Sequence, residues 1–296
     1  MIFGVDGTGA FWNSTYKEEM KNSFVSELCG ASTLSSSAGN VATGVGHYWR
    51  GPDSIDTFMS GPNPRAVAEV IRRAVVPAAA PPKVIPVGLG TPVIIYPKAN
   101  APLTDLKDQV FLTGYSRGAA TVLDVAVLLN DYGITVEAMF LFDSVTRSPW
   151  LSATVVPANV KNCYHAMRNP VGGSRVSFGN SAPTPAKGVN YVPEAKFLTT
   201  HGGMGGTPWG AGGLIAAGPV GVQELTRMAA MSRSAVTPGQ MAEAMVHDQP
   251  QKYGDKIYEG APDWRFTTVT VAQEEAGKKQ VREWMWQHLK THKLVP

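Results

Sequence analysis

Residues 110–143 read VFLTGYSRGAATVLDVAVLLNDYGITVEAMFLFD, and the rest of the chain is best understood from this stretch. An apolar run at 109–113 meets a tight turn bordered by two glycines, and a helical pattern follows. The helix has one apolar face, made of Ala120, Leu123, Val127 and Leu128. A second apolar run at 138–142 ends in Asp143. Strand, turn, helix and strand in this order predict an α/β fold with a central, mostly parallel sheet flanked by helices.

The turn contains Gly114-Tyr115-Ser116-Arg117-Gly118, which fits the G-x-S-x-G nucleophile elbow of α/β-hydrolases. A serine in a strand-to-helix turn needs small neighbours, because larger side chains would clash with the strand and the helix. Its hydroxyl then points away from the sheet, beside the N–H groups of the helix N-terminus. We therefore predict that Ser116 is a nucleophile. The alternative is a glycine-rich turn in which Ser116 only caps the helix.

The chain begins with an apolar run at 1–5, followed by Asp6-Gly7-Thr8-Gly9. Such a loop at the carboxyl end of a parallel strand is a common place for ligands. It could bind phosphate, bind a metal through Asp6, or form half of an oxyanion hole; the plain alternative is a turn capped by Asp6. We predict an oxyanion hole made by the N–H of Arg117 and a second donor from Gly7 or Thr8.

A serine nucleophile needs a base and an acid, which follow it in this order along α/β-hydrolase chains: serine, acid, histidine. His201 follows an apolar strand predicted at 195–200 and opens a glycine-rich loop, so we predict that it is the base. Asp143 ends the strand next to the elbow strand, roughly 5 Å away, and is the predicted acid. The alternatives are a loop histidine and an aspartate that caps the turn after it.

The totals exclude several classes of protein. The chain has 296 residues, 44% hydrophobic and 17% charged, which suits a globular protein that we predict to be a single domain, 1–296. A net charge of +3 without basic clusters gives no reason to expect nucleic acid. Two cysteines predict neither a disulfide framework nor a metal site. No segment is long and apolar enough to span a bilayer or serve as a signal peptide, so we expect a cytoplasmic protein, or one exported without a cleaved signal.

Periodicity predicts the other elements, which are helices at 17–28, 64–76, 222–231, 238–247 and 274–292 and strands at 45–49, 93–96, 161–167 and 195–200. The segments 30–44 and 202–221 are predicted to be without regular structure. We predict a lid or insertion at 202–247. Trp209, in this segment, and Tyr115, beside the nucleophile, are the candidate substrate contacts.

Four separated motifs resemble one family in its own order: Asp6-Gly7-Thr8, Gly114-Tyr115-Ser116-Arg117-Gly118-Ala119, Phe142-Asp143-Ser144-Val145 and His201-Gly202-Gly203-Met204-Gly205-Gly206. The chain resembles the DUF2235 α/β-hydrolases, which include the catalytic domain of type VI secretion phospholipase effectors. The resemblance covers roughly residues 1 to 210. It implies a serine esterase or phospholipase with Ser116 as nucleophile, His201 as base and Asp143 as acid. Where the family has an acid two residues after the histidine, this chain has Gly203.

The leading hypothesis is therefore a serine hydrolase of carboxylic esters, with lipid or phospholipid acyl esters as substrates, no cofactor and no metal. A lipid substrate would imply peripheral contact with a membrane. Two alternatives stay open. One is a non-catalytic α/β-hydrolase-like binding module, favoured by Gly203. The other is a phosphoester hydrolase with Asp6 and Asp143 as metal ligands.

Overall fold

The computed structural model describes residues 1–9, 13–31, 40–43, 45–52, 61–76, 83–85, 93–95, 109–145, 154–169, 182–208, 251–253, 255–258 and 269–296. The strands are β1 (Ile2–Val5), β2 (Asn40–Ala42), β3 (Gly46–Trp49), β4 (Lys83–Ile85), β5 (Val93–Ile95), β6 (Val110–Tyr115), β7 (Val136–Phe142), β8 (Val155–Val156), β9 (Val160–Arg168), β10 (Thr184–Pro185), β11 (Asn190–Phe197), β12 (Gln251–Tyr253), β13 (Lys256–Tyr258) and β14 (Val269–Thr270). The helices are α1 (Asn13–Met20), α2 (Phe24–Leu28), α3 (Pro64–Val75), α4 (Arg117–Asp131), α5 (His201–Gly205) and α6 (Val271–Thr291).

A seven-stranded sheet forms the centre, in the order β11-β9-β7-β6-β1-β3-β2. Six of its strands are parallel, and β2 joins the edge antiparallel to β3. The predicted α/β fold with a mostly parallel sheet flanked by helices is confirmed. Because the strands are parallel, the carboxyl ends of β1, β6, β7 and β9 meet along one edge of the sheet, where open α/β sheets bind ligands.

Helices cover both faces of this sheet. Along β7, Met139 and Leu141 pack into the core shared with α3 and α4, whereas Phe140 and Phe142 pack into the core shared with α2 and α6. The alternation follows from the two-residue period of a strand. All six residues of β6 are buried, as expected of a central strand covered on both faces. The strand that carries the elbow therefore lies in the buried centre of the sheet.

The prediction of one continuous helix at 17–28 is wrong, because the structure has two helices there. α1 ends at Met20, and Ser23 caps α2 by accepting a hydrogen bond from the N–H of Ser26 at 2.9 Å. The Ser23 hydroxyl also donates to Asp6, at the end of β1. The helix is thus interrupted at the residue that contacts the first loop, 6–9.

Other predicted elements differ mainly in their bounds. The strand predicted at 195–200 ends at Phe197, and the segment predicted to be irregular from 202 onwards begins with the short helix α5, capped by Thr200. The loop predicted at 30–44 contains β2. The terminal helix starts earlier than predicted, since Thr270 and Gln273 form a capping box. The helices predicted at 222–231 and 238–247, and most of the predicted lid, lie outside the described residues.

None of the described helices combines the length and the apolar character that a transmembrane helix needs.

Candidate active site

Ser116 occupies a strained turn between β6 and α4. Its backbone angles are φ 57° and ψ −126°, a conformation that residues other than glycine rarely adopt. A Cβ at Gly114 would collide with the backbone of Gly118 and Ala119. A Cβ at Gly118 would collide with the carbonyl oxygens of Val5 and Asp6. Both glycines of the motif are therefore required by the close approach of strand, helix and loop, as the sequence predicts.

The structure brings the three predicted catalytic side chains together. His201 Nε2 lies 2.8 Å from Ser116 Oγ, and His201 Nδ1 lies 2.6 Å from Asp143 Oδ2. All three residues are almost completely buried. The Ser116 side chain makes no capping hydrogen bond to α4, so its hydroxyl faces the histidine rather than the helix. Serine, histidine and aspartate thus form one hydrogen-bonded relay, the arrangement that activates a hydroxyl for nucleophilic attack.

Asp143 is held by backbone as well as side-chain contacts. Its N–H donates to the carbonyl of Ala166 on β9 at 2.8 Å, and it adopts a positive φ of 46°. Two residues later, the N–H of Val145 donates to the carbonyl of Ser116 at 3.1 Å. The loop after β7 is therefore fastened to β9 on one side and to the elbow on the other, which aims the carboxylate at His201.

Arg168, the last residue of β9, pairs with Asp143 in the buried interior. Its guanidinium contacts the same carboxylate oxygen that faces His201. The backbone N–H of Arg168 donates to the other oxygen, Asp143 Oδ1, at 3.4 Å. Burial alone would raise the pKa of Asp143, but the charge of Arg168 and the hydrogen bond from His201 lower it below its ordinary value. The carboxylate is consequently ionised at neutral pH, as the acid of a triad must be.

His201 is the first residue of α5, and Tyr115 fixes its backbone. The Tyr115 hydroxyl donates to the carbonyl of His201 at 2.9 Å, and the two rings lie 5.0 Å apart. A Cβ at Gly7 or at Gly205 would overlap the Tyr115 ring. Tyr115 is 3% exposed. Its ring fills the space between the loop at Gly7 and Gly205 of α5, and contact between Tyr115 and substrate stays a prediction. Trp209, the other predicted contact, lies outside the described residues.

The first loop is organised around Asp6, whose carboxylate accepts from the Gly7 N–H at 2.9 Å, from the Tyr48 hydroxyl at 2.9 Å and from Ser23. The Gly7 amide therefore already has an acceptor, and the prediction that Gly7 is an oxyanion donor is corrected. The Thr8 amide remains the candidate for the second donor, beside that of Arg117 at the start of α4.

Two further side chains fasten this loop. The Tyr16 hydroxyl donates to the Gly7 carbonyl at 2.7 Å and accepts from the Gly51 N–H at 2.6 Å. Arg117 Nε donates to Thr8 Oγ1 at 2.8 Å, which ties the loop to the elbow. The two predicted donor residues, Thr8 and Arg117, are therefore linked to each other. Such preorganisation is what an oxyanion hole requires, because donors that need not move cost no reorganisation during the reaction.

The arrangement around Asp6 and Asp143 does not fit the metal-ligand alternative. Asp6 accepts three hydrogen bonds from protein donors, and Asp143 pairs with the cationic side chain of Arg168 and with His201. Both carboxylates thus face protein donors. In the described ranges, the histidine, cysteine, aspartate and glutamate side chains form no cluster of three or more that could hold a metal ion.

Two residues that support the candidate site are not among the predicted site residues. His165 is fully buried on β9, where its Nε2 accepts from the Ser144 N–H at 3.2 Å and its Nδ1 lies 3.1 Å from the Tyr191 hydroxyl. Burial lowers its pKa to about 4, so the ring is neutral and supports the Asp143 loop as an acceptor. Arg168 is the other. A charged residue at the end of an apolar strand was the only available signal.

The pKa of Asp6 provides a test of the first loop. Burial raises it from 3.8 to about 6, against the opposing hydrogen bonds. A raised folded-state pKa means that stability is present at pH below 3.8 and is lost as the pH rises through about 6. Relative to the wild type, Asp6→Asn should therefore gain roughly 2 kcal/mol of unfolding free energy between about pH 4 and pH 7.

Urea unfolding of both proteins across this range measures the difference, and the comparison cancels the opposite pH dependence that His165 imposes. Asp131→Asn, which changes an exposed carboxylate at the end of α4, is the matched control and should follow the wild type. Parallel curves for Asp6→Asn and the wild type would contradict the buried, raised-pKa carboxylate.

Comparison with known proteins adds little to this geometry. No family model matches the sequence, and none of the curated proteins matches it. Among solved structures, the chain is similar to the crystal structure of an uncharacterized protein from Pseudomonas aeruginosa, with 14% sequence identity and a TM-score of 0.38. The match covers 97% of this chain and 50% of that chain, so this chain spans about half the length of that protein. A similarity this low carries no argument about function.

Proposed function

We propose that this protein is a serine hydrolase of carboxylic esters. The observation that carries the proposal is the relay Ser116–His201–Asp143, with donor–acceptor distances of 2.8 and 2.6 Å at a strained nucleophile turn. A buried histidine placed between a hydroxyl and an ionised carboxylate has a specific use in acyl transfer.

In the proposed reaction, Ser116 Oγ attacks the ester carbonyl while His201 Nε2 takes the hydroxyl proton. The charge that develops on the carbonyl oxygen is stabilised by the N–H groups of Arg117 and Thr8. His201 then gives the proton to the leaving alkoxide, and an acyl-serine remains. Water, deprotonated by His201, hydrolyses this acyl-serine and restores the free hydroxyl. Asp143 keeps the proton on Nδ1 and stabilises the imidazolium, and Arg168 keeps Asp143 ionised.

Lipid and phospholipid acyl esters are the proposed substrate class, and the resemblance to DUF2235 phospholipases is its support. This class implies transient contact with a membrane surface. A chain-length series decides it: kcat/KM should rise from p-nitrophenyl acetate to the octanoate, and phospholipid vesicles should release free fatty acid. Hydrolysis restricted to the acetate would place the protein among simple esterases.

A fluorophosphonate probe tests the nucleophile directly. Ser116 Oγ should displace fluoride at phosphorus and form a stable phosphonyl ester, because the relay makes this hydroxyl nucleophilic. Mass spectrometry should locate the adduct on Ser116, and Ser116→Ala should not be labelled. Ser144→Ala, which removes a neighbouring buried hydroxyl, is the matched control and should be labelled like the wild type. A folded wild type without an adduct would favour the non-catalytic binding module instead.

A further inference from the structure

Glu274, in the first turn of α6, is a fully buried residue that contacts the two residues preceding His201. Thr199 Oγ1 donates to the Glu274 carbonyl at 2.9 Å, and Thr200 Oγ1 donates to the Glu274 carboxylate. These two threonines are the residues that lead into His201. A carboxylate is costly to bury, so its place here calls for a reason.

Thr200 connects this carboxylate to α5. Its hydroxyl is the N-cap of α5 and accepts from the Gly203 N–H at 3.0 Å. A hydroxyl has one proton, and because Glu274 accepts it, the oxygen lone pairs are turned towards Gly203. Three of the five residues in α5 are glycines. Glycine is a poor helix former, so the cap matters more here than in an ordinary helix.

The two threonines are closely packed against α6 and α5. A Cβ at Gly277, one turn further along α6, would collide with the Leu198 carbonyl and with Thr199. A Cβ at Gly203 would collide with the Thr199 hydroxyl. α6 therefore approaches the backbone that follows β11, and α5 packs closely against the Thr199 side chain.

The position of His201 is tightly constrained. Its ring must meet two partners at once, at 2.6 and 2.8 Å, and its carbonyl is held by Tyr115. The Thr200–Glu274 contact holds the residue that precedes His201. Misplacement of a catalytic group by about 1 Å can cost on the order of 100-fold in rate.

We propose that Glu274 is a positioning residue for His201, acting through the hydroxyl of Thr200. The proposal rests on the proposed function and adds to the triad a fourth side chain, 74 residues away from Thr200 along the chain. It is not a catalytic residue, because it contacts neither the substrate nor the reacting atoms.

Kinetics of an activated ester test the proposal. Glu274→Ala should lower kcat about 10- to 100-fold with KM almost unchanged, because the histidine is displaced while the substrate site is intact. Glu274→Gln keeps an acceptor for Thr200 and should recover most of the loss. Glu275→Ala, which removes the neighbouring carboxylate that pairs with Lys278 on the surface, is the matched control and should leave kcat unchanged.

Thr200 variants repeat the test from the other partner. Thr200→Val should reproduce the kcat loss and Thr200→Ser should not, since serine keeps the hydroxyl. The double variant Thr200→Val/Glu274→Ala should be no slower than either single variant, because both changes remove one interaction. Independent, multiplying losses would overturn the proposal. Should Glu274→Ala fail to fold, Glu274→Gln and the Thr200 pair still decide it.

A readout without turnover separates this inference from the proposed function. In proton NMR, the His201 Nδ1–H that faces Asp143 should give a strongly downfield resonance in the wild type, and it should be lost or broadened in Glu274→Ala. An unchanged resonance and an unchanged kcat in Glu274→Ala would overturn the positioning role while leaving the hydrolase intact. A wild type that does not react with fluorophosphonate but shows the variant-sensitive resonance would overturn the hydrolase alone.

Discussion

Replacing His201 by alanine should lower kcat/KM on an activated ester by about 10⁴- to 10⁶-fold, the range found when a member of such a triad is removed. The reason is geometric. His201 Nε2 lies 2.8 Å from Ser116 Oγ, so the base that takes the hydroxyl proton is lost with the ring. Ser116→Ala should cost as much, and Ser116→Ala/His201→Ala should cost no more than either single change, because the two side chains act as one unit.

Initial rates of p-nitrophenyl butyrate hydrolysis, with circular dichroism to verify folding, measure these losses. His47→Gln is the matched control. This histidine stacks on Phe3 at 5.4 Å near the start of β3, away from the carboxyl ends of the strands, and its loss should leave the rate unchanged. A His201→Ala protein that keeps more than about a tenth of the wild-type rate would remove His201 from the mechanism.

The second large effect is expected for Asp143→Asn, which should lower kcat by about 10³- to 10⁴-fold, near the loss found when the acid of such a triad is removed. Arg168 and His201 both contact one oxygen of the carboxylate, so the amide oxygen of asparagine should take that position. The histidine tautomer is then preserved, and the loss arises from the missing negative charge. An imidazolium beside Arg168 without a carboxylate is less stable, so the acidic limb of the pH–rate profile should move to lower pH.

The same change should lower stability. Arg168 is 1% exposed, and removing the carboxylate that pairs with a buried cation typically costs about 3–5 kcal/mol. Because Arg168 and His201 lower the pKa of Asp143, this contribution is present above pH 3.8 and is lost as the pH falls through the lowered folded-state pKa. The stability difference between the two proteins should therefore shrink in acid.

A double variant separates the two effects. In Asp143→Asn/Arg168→Met the buried cation is gone as well, so urea unfolding should show that much of the lost stability returns while the low kcat persists. Recovery of activity together with stability would mean that Asp143 only balances Arg168. In that case another acid would have to orient His201.

Much of the fold could be predicted because its signals are local. The elbow is visible from the two glycines around Ser116, and the central strands are visible as short apolar runs between turns and helical patterns. The bounds were less accurate where a side chain from elsewhere intervenes. The segment predicted as one helix is divided at Ser23, whose hydroxyl donates to Asp6. Thr200 caps α5 in a glycine-rich segment for which the sequence pattern predicts a loop.

The residues of the proposed triad are predictable for a related reason. A parallel sheet places the carboxyl ends of its strands along one edge, so a residue at a strand end is a candidate for the site wherever that strand lies in the sequence. Ser116 and Asp143 follow neighbouring strands, β6 and β7. His201 follows the edge strand β11, and the short segment 198–200 brings it to them at the start of α5.

The sequence by itself determined the periods of strand and helix and the strained turn at Ser116, since both depend on neighbours in the chain. Only the tertiary structure decided which distant groups meet. The pairing of Arg168 with Asp143, the use of the Gly7 amide by Asp6 and the contact between Thr200 and Glu274 follow from strand order and helix packing. Their energies come from removing charges and donors from water, and burial is a property of the assembled layers, which no short stretch of sequence contains.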